Sequence, residues 1–551
     1  MNPRTKREQN MHILSLNKPQ NEPIRNIQSD DGLWSQYAAA VKKVPTNEVI
    51  PMVIGGHAVK SAHTLTNINP STGKPMGTIY QAGADHAQAA VQAALKAKPG
   101  WASLSPAARI QKFRDLEAVL LKWRDENCAV TGVECGFTAN EIAASWAEMI
   151  DFVRFNSFYY SQILGEQLGD GPMETNSYNM RSLKGFCCAV TPFNFPIAIG
   201  YNLPLVMALT GNTVVWKPSD DATLTSYILM LALDEAGFPP GVINMITGFG
   251  KECLPTVLQH PELACLNFTG SFATARALGN YLYGASYDRN NFPRFVAETG
   301  GKDFLVADRD IDIVDTAACI AAGAFGRSGQ KCSANSIVFA HADIWPQLKA
   351  ALVEKTRSLK MTDATQRESD LGPVINARAY EKITAAIAKA KSDPNVTLLC
   401  GGDASNANGF YVSPTIFEVN ANRHELFTYE IFGPVLAVKT YRTLDEVTDI
   451  MNTHNYRLTG SVISRDESFL EHAVPILSEY AGNLYVNRKT TGAVVDQQPF
   501  GGDGASGTNF KAGSRSYVMN FLSPGTITRR HTRTTTPSAF EKLEKTGKSK
   551  V

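Results

Sequence analysis

Apolar positions along the chain change their spacing near residue 185, and that change separates a helical stretch from a longer α/β body. From Asp85 to about Leu168 they recur every three or four residues, in "HAQAAVQAALKA", "SPAARIQKFRDLEAVLLKWRDE" and "NEIAASWAEMIDFVRFNSFYYSQIL". Such spacing lines one helix face, so several packed amphipathic helices are predicted, with Ser105 as a cap and Pro106 in a first turn. From Phe186 the pattern becomes short apolar runs, "FCCAVT", "NTVVWKPS", "VINMIT" and "ACLNFTGS", interleaved with helical stretches such as "TSYILMLALDEAG" and "KECLPTVLQH". Strand and helix in alternation predict a doubly wound parallel sheet. A second series, including "KDFLVADRD", "DTAACIAAGAFG", "NSIVFAH", "YEKITAAIAKAKS", "VLAVKTY" and "GSVIS", predicts another. The segment "GGDASNANGF" reads as a surface loop, "QQPFGGDGASGTNFKAG" is too rich in glycine for a helix, and "SYVMNFLSPGTI" reads as an extended strand that could pair with another subunit.

A chain of 551 residues exceeds a single core, so at least two domains are expected. With 44% hydrophobic and 19% charged residues and a formal net charge of +1, it reads as an ordinary globular protein. No long Lys/Arg cluster interrupts its body, which argues against a nucleic-acid partner, and the basic end "TRRHTRTTT…EKTGKSK" reads as a solvated tail. No apolar run reaches the ~18–20 residues of a membrane span, so no membrane association is expected. Nine cysteines without a C-x-x-C pair suit free thiols in a reducing compartment. The cytoplasm is expected, with the mitochondrial matrix as the alternative, because Arg4, Lys6 and Arg7 suit a transit peptide while Glu8 does not. No metal is expected.

Among the cysteines, Cys332 in "GQKCSA" is flanked by small residues, with Lys331 beside it, Arg327 five residues earlier and Glu298 upstream in "AETGGKDF". A free thiol with a pKa near ~8.5 needs a cation or base to react, and these neighbours are candidates. By itself, Cys332 reads equally as an inert buried thiol. "TPFNFP" places Asn194 on a Pro-bounded turn after a strand, either an oxyanion donor or a plain turn. "WKPSDD" puts Lys217 and Asp220 just past a strand, where dinucleotide folds meet the adenosine ribose; surface charge is the alternative. "FTGS" opens a helix whose free N–H groups suit a pyrophosphate, and "YEIFGPV" sets Glu430 before a Gly-Pro turn.

These segments, in this order from about residue 50 to about 530, resemble the aldehyde dehydrogenase superfamily. The resemblance implies two doubly wound α/β domains, Rossmann-type and catalytic, plus a small β oligomerisation element. It implies Cys332 as nucleophile, Glu298 as general base, and Asn194 with the Cys332 backbone N–H as oxyanion hole. It further implies NAD as cofactor, met by Lys217, Ser219, Asp220, Gly270, Ser271, Phe432 and, at the nicotinamide ribose, Glu430. A strict G-x-G-x-x-G is absent, the nearest being "GFGK" at 248–251, as is characteristic of that family.

Within the superfamily, "FPRFVAETGGKDF", "DFVRFN", "WKPSD" and "AGNLYVNRKTTGAVVDQQPFGG" are most similar to the pyrroline-5-carboxylate dehydrogenase branch. The implied reaction is oxidation of L-glutamate γ-semialdehyde to glutamate in proline degradation. Its α-carboxylate would be held by Ser333 and the N–H groups of Gly492 and Ala493, its aliphatic part by Phe500 and its amino group by Glu141. Arg327, where a neutral or aromatic residue is expected, and Asp503 after "PFGG" depart from the pattern. The implied organisation is an extension (1–49), an NAD-binding domain (50–300, with a β excursion near 168–185), a catalytic domain (301–485), an anchor loop with an oligomerisation strand (486–530) and a flexible tail (531–551). A small-molecule substrate and a homodimer or higher homo-oligomer complete the expectation. Another semialdehyde (succinate, glutarate or aminoadipate) and a catalytically silent member of the fold remain the alternatives.

Overall fold

Each apolar run from Phe186 to Thr269 becomes a strand of one sheet. In the computed structural model, which describes residues 16–284 and 289–531, this sheet has seven strands. From edge to edge they are Arg294–Glu298, Leu263–Thr269, Phe186–Val190, Val214–Lys217, Ile243–Met245, Met52–Ile54 and His57–Val59. The first five are parallel, and the last two join antiparallel. A second seven-stranded sheet runs through Val396–Cys400, Thr415–Val419, Val435–Tyr441, Asn335–His341, Asp303–Ala307, Thr459–Ile463 and Asn483–Val486, with only the first strand antiparallel.

The central strands are mostly apolar on both faces because successive side chains enter cores on opposite sides. Cys187, Ala189, Val214 and Trp216 pack into one core, and Phe186, Cys188, Val190 and Val215 into the other. Phe304 and Val306 separate in the same way from Leu305 and Ala307 in the second sheet. Ser105 caps the helix Pro106–Lys122 as its sequence predicts. The long helix Ala139–Leu164 opens with a capping box in which Glu141 accepts from the Thr138 amide at 3.1 Å.

Sequence order on the first sheet reverses direction at Phe186–Val190: the chain proceeds to Val214–Lys217 on one side and returns as Leu263–Thr269 on the other. Such a switch point opens a crevice at the strands' carboxyl ends. Only four residues separate Glu298, which ends one sheet, from Asp303, which begins the next.

Several segments differ from their sequence reading. "SYVMNFLSPGTI" is not one strand. Arg515–Met519 is helical, because Ser514 caps it and Tyr517, Val518 and Phe521 are buried on one side; strand and helix are indistinguishable in so short an apolar window. The strand Leu522–Arg530 pairs along its length with Glu174–Ser182 of the same chain. "GGDASNANGF" carries half of a small hairpin, Ala404–Ser405 against Tyr411–Val412. A helix at Asp31–Val41 and a three-stranded sheet of Glu48–Ile50, Pro75–Tyr80 and Thr64–Ile68 have no counterpart in the sequence reading. Arg4, Lys6, Arg7 and Glu8, and residues 532–551 of the expected tail, lie outside the described residues. Among the described residues no helix is long and apolar enough to cross a membrane.

Candidate active site

The candidate residues of the first sheet gather at its carboxyl ends. Asn194 lies in the turn after Phe186–Val190, Lys217 ends its strand with Ser219 and Asp220 just beyond, Gly270 and Ser271 follow Leu263–Thr269, and Glu298 ends Arg294–Glu298. Asn194, Lys217, Ser219, Asp220, Gly270 and Ser271 line one cleft of about 1120 Å³, and Cys332, Glu430 and Phe432 reach it from the second sheet's side. Lys217 is buried and donates to Asp220 at 2.7 Å. Ser271 caps Phe272–Tyr283 by accepting from Thr274 N at 3.1 Å, and this helix's first turn borders the cleft. A dinucleotide fits these groups: carboxylates for sugar hydroxyls, a helix amino end for the pyrophosphate, and a thiol nearby.

Cys332 follows a turn that few sequences can adopt. Arg327, Ser328 and Gly329 all have left-handed φ, at 57°, 51° and 68°. A side chain at Gly329 would place its Cβ 2.1 Å from the Gly433 carbonyl. Gln330 pins the turn, donating to Arg327 O at 3.2 Å and accepting from Ile375 N at 2.9 Å, while Ser328 donates to Gly372 O at 2.6 Å. The unexpected Arg327 is a clamp. Its guanidinium lies between the rings of Phe137 and Phe195, at 4.5 and 4.1 Å from their centroids. It donates to the carbonyls of Asn194 and, at 3.0 Å, of Glu141. One side chain therefore joins the turn before Cys332, the Asn194 turn and the start of the long helix.

Electrostatics at the thiol run opposite to the sequence expectation. Burial pushes the Cys332 thiol up, and Asp303, Glu298 and Glu430 push it further. Lys331 does not counter them; its own burial lowers its ammonium to about 8. Glu298 has both carboxylate oxygens buried without a partner, and burial raises its carboxyl well above the usual range, with Lys511 the opposing charge. Glu430 accepts from Gly301 N at 3.0 Å. The glycine pair permits this approach, since a Cβ on Gly300 would lie 2.2 Å from the Glu430 oxygens and one on Gly301 2.4 Å from the Cys332 carbonyl.

The remaining candidates do not line that cleft. Ser333 is buried, and its carbonyl accepts from Thr490 Oγ1 at 2.7 Å, which brings the loop of Gly492 and Ala493 against the nucleophile's neighbour. Gly492 has a φ of 87°, and Phe500 is fixed by paired backbone bonds with Ala512 at 2.9 and 2.7 Å. Glu141 is occupied: one oxygen caps its helix and the other accepts from Arg327 N. Two turns on, Glu148 has no partner among the described residues. Burial raises its carboxyl to about 7, against the pull of Arg327 and Lys331. Sequence reasoning missed it, although the interval of seven from Glu141 puts both on one helix face. Asp503 is exposed and pairs across a two-residue bridge with Arg457.

The profile of the aldehyde dehydrogenase family matches residues 58–527. The chain is 39% identical over 489 residues to the mitochondrial delta-1-pyrroline-5-carboxylate dehydrogenase of Emericella nidulans, covering 86% of this chain and 85% of that one. It is 36% identical over 533 residues to the human enzyme of the same name, covering 94% and 93%. Its fold superposes on the Mycobacterium tuberculosis delta-pyrroline-5-carboxylate dehydrogenase with a TM-score of 0.90 at 36% identity, covering 95% and 97%. The Thermus 1-pyrroline-5-carboxylate dehydrogenase with bound NAD matches with a TM-score of 0.89 at 31% identity, covering 94% and 100%.

Proposed function

Because the chain belongs to the aldehyde dehydrogenase family, we propose that its cleft and thiol oxidise L-glutamate γ-semialdehyde to L-glutamate with NAD. The observation that carries this reading is the Thr490–Ser333 hydrogen bond, which sets a loop of free N–H groups beside Cys332. A carboxylate three carbons from an aldehyde suits that loop. Glu148, unpaired where Glu141 is occupied, is the better partner for the substrate's ammonium. Asp220 favours NAD, since a 2′-phosphate would meet like charge.

Cys332 Sγ bonds to the aldehyde carbon while its proton passes to Glu298, whose raised carboxyl is matched to the raised thiol. The oxyanion is held by the Asn194 side-chain amide and the Cys332 N–H. Bound in the cleft, the dinucleotide supplies the acceptor for the hydride that leaves this carbon. Cys332 then carries a glutamyl thioester. Having released the first proton to solvent, Glu298 takes one from the water that cleaves the thioester and returns it to the departing thiolate.

The antiparallel pair of Glu174–Ser182 and Leu522–Arg530 is the element we propose for self-association, since Tyr178 and Ile527 are exposed on it. Nine free cysteines suit the cytoplasm or the mitochondrial matrix.

Rapid mixing of Glu298→Gln with substrate and NAD tests the mechanism. One equivalent of NADH per site should still form, more slowly than in the parent because Glu298 no longer takes the thiol proton, and the steady state that follows should be about a hundredfold or more slower than the parent, with a thioester on Cys332. An unchanged steady state would remove Glu298 from the reaction.

A further inference from the structure

The carboxylate-binding loop and the helix bearing Glu148 would contact opposite groups of one amino-acid head, so the gap between them matters as much as either. Residues 487–500 have no helix or strand of their own to fix that gap. Asp496, three residues past Ala493, adopts a left-handed φ of 73°, a conformation most non-glycine residues avoid.

The ties come from the other end of the chain. Lys18 Nζ lies 2.5 Å from Asp496 Oδ2, whose second oxygen accepts from Tyr159 at 2.6 Å. Asn21 Nδ2 donates to Val495 O at 3.1 Å and to Asp151 Oδ2 at 2.8 Å, and Gln497 Nε2 donates to Asn21 Oδ1 at 3.2 Å. The Glu22 amide donates to the other Asp151 oxygen at 2.7 Å. Asp151 lies on the long helix three residues after Glu148. Glu22 itself is paired with Arg124 at 2.7 Å and Arg154 at 3.1 Å, which anchors the segment to the helices beneath. A short stretch of the amino terminus thus binds the anchor loop on one side and the Glu148 helix on the other.

We propose that the segment 18–22 is a positioning strap of the substrate site: it sets the distance between the loop of Gly492 and Ala493 and the Glu148 helix, and so selects an α-amino acid head. The inference rests on the proposed substrate. Asn21 is the centre of the strap because its one amide meets all three partners; Lys18 adds an exposed tie whose loss leaves the core untouched.

The test compares Asn21→Ala and Lys18→Met with the full-length parent, using L-glutamate γ-semialdehyde and propanal. For Asn21→Ala the KM for the semialdehyde should rise about tenfold, the order expected for losing its three hydrogen bonds, one of them to a carboxylate, with kcat within about twofold. Lys18→Met should raise it about two- to threefold, as a half-exposed ion pair allows. The kcat/KM for propanal, which has no head group to place, should stay within about twofold for both. A general loss affecting both aldehydes alike, or no loss in either variant, would overturn the strap. If the parent itself shows no preference for the semialdehyde over propanal, the substrate reading fails and takes the strap with it. A preference that survives both substitutions removes the strap alone.

Discussion

Glu298 sits where a carboxylate is costly to ionise, and the proposed mechanism requires that it do so. Both oxygens are buried without a partner, and its carboxyl is raised well above the ordinary range. The folded state therefore binds this proton more tightly than the unfolded chain. Stability from that proton is fully present below the ordinary carboxylate range, near ~4.3, and is lost as pH rises through the raised folded value. Glu298→Gln removes the charge and should melt about 1–3 °C above the parent at pH 8 to 9, a gain that closes toward pH 4. Thermal scans across that range would show it, and coincident melting curves at every pH would contradict the buried, unpaired carboxylate. At this scale the candidates legible in the sequence were those in contiguous motifs: Cys332 in "GQKCSA" and Asn194 in "TPFNFP" line one cleft, and Glu298 ends a strand before a glycine pair. What it did not reveal depends on distant partners. That Glu141 is occupied and Glu148 is not follows from an Arg327 turn 186 residues away, and the Thr490–Ser333 contact spans 157 residues.

Elements reach the site through glycine. The link of residues 299–302 is the clearest case, because Glu430 docks on the backbone between Glu298 and Asp303 where a single methyl would collide with both its oxygens. Gly300→Ala should displace Glu430, weaken NAD binding about tenfold and leave the far-ultraviolet spectrum unchanged, as titration of the protein with NAD would measure. Undiminished affinity would mean that Glu430 does not meet the cofactor. The strands that position these links were legible because burial on both faces makes a parallel strand apolar at every residue, as in "FCCAV" and "FLVA". Short, half-exposed strands such as Thr64–Ile68 lack that signature. The helix Arg515–Met519 is too brief to show a period, so its apolar residues passed for a strand.

At the scale of the whole molecule, the carboxyl ends of one sheet face the amino ends of another, and the thiol, the buried carboxylate and the cofactor cleft meet along that seam. A crevice at a switch point on the first sheet is where the proposed function seats the cofactor, and Cys332, from the second sheet's side, lines it. Segment 18–22 is tied both to the loop past Gly492 and Ala493 and to the helix of Glu148, and in the proposed function these three distinguish a glutamate semialdehyde site from one for a simple aldehyde. The most direct measurement is steady-state NADH formation from L-glutamate γ-semialdehyde and from glutarate semialdehyde, which has the same carbon chain and carboxylate but no ammonium. A charge-assisted contact to the ammonium corresponds to about 1.5–3 kcal/mol, so kcat/KM should favour the amino acid by about ten- to a hundredfold. Equal or better turnover of glutarate semialdehyde would contradict recognition of an amino-acid head at this site.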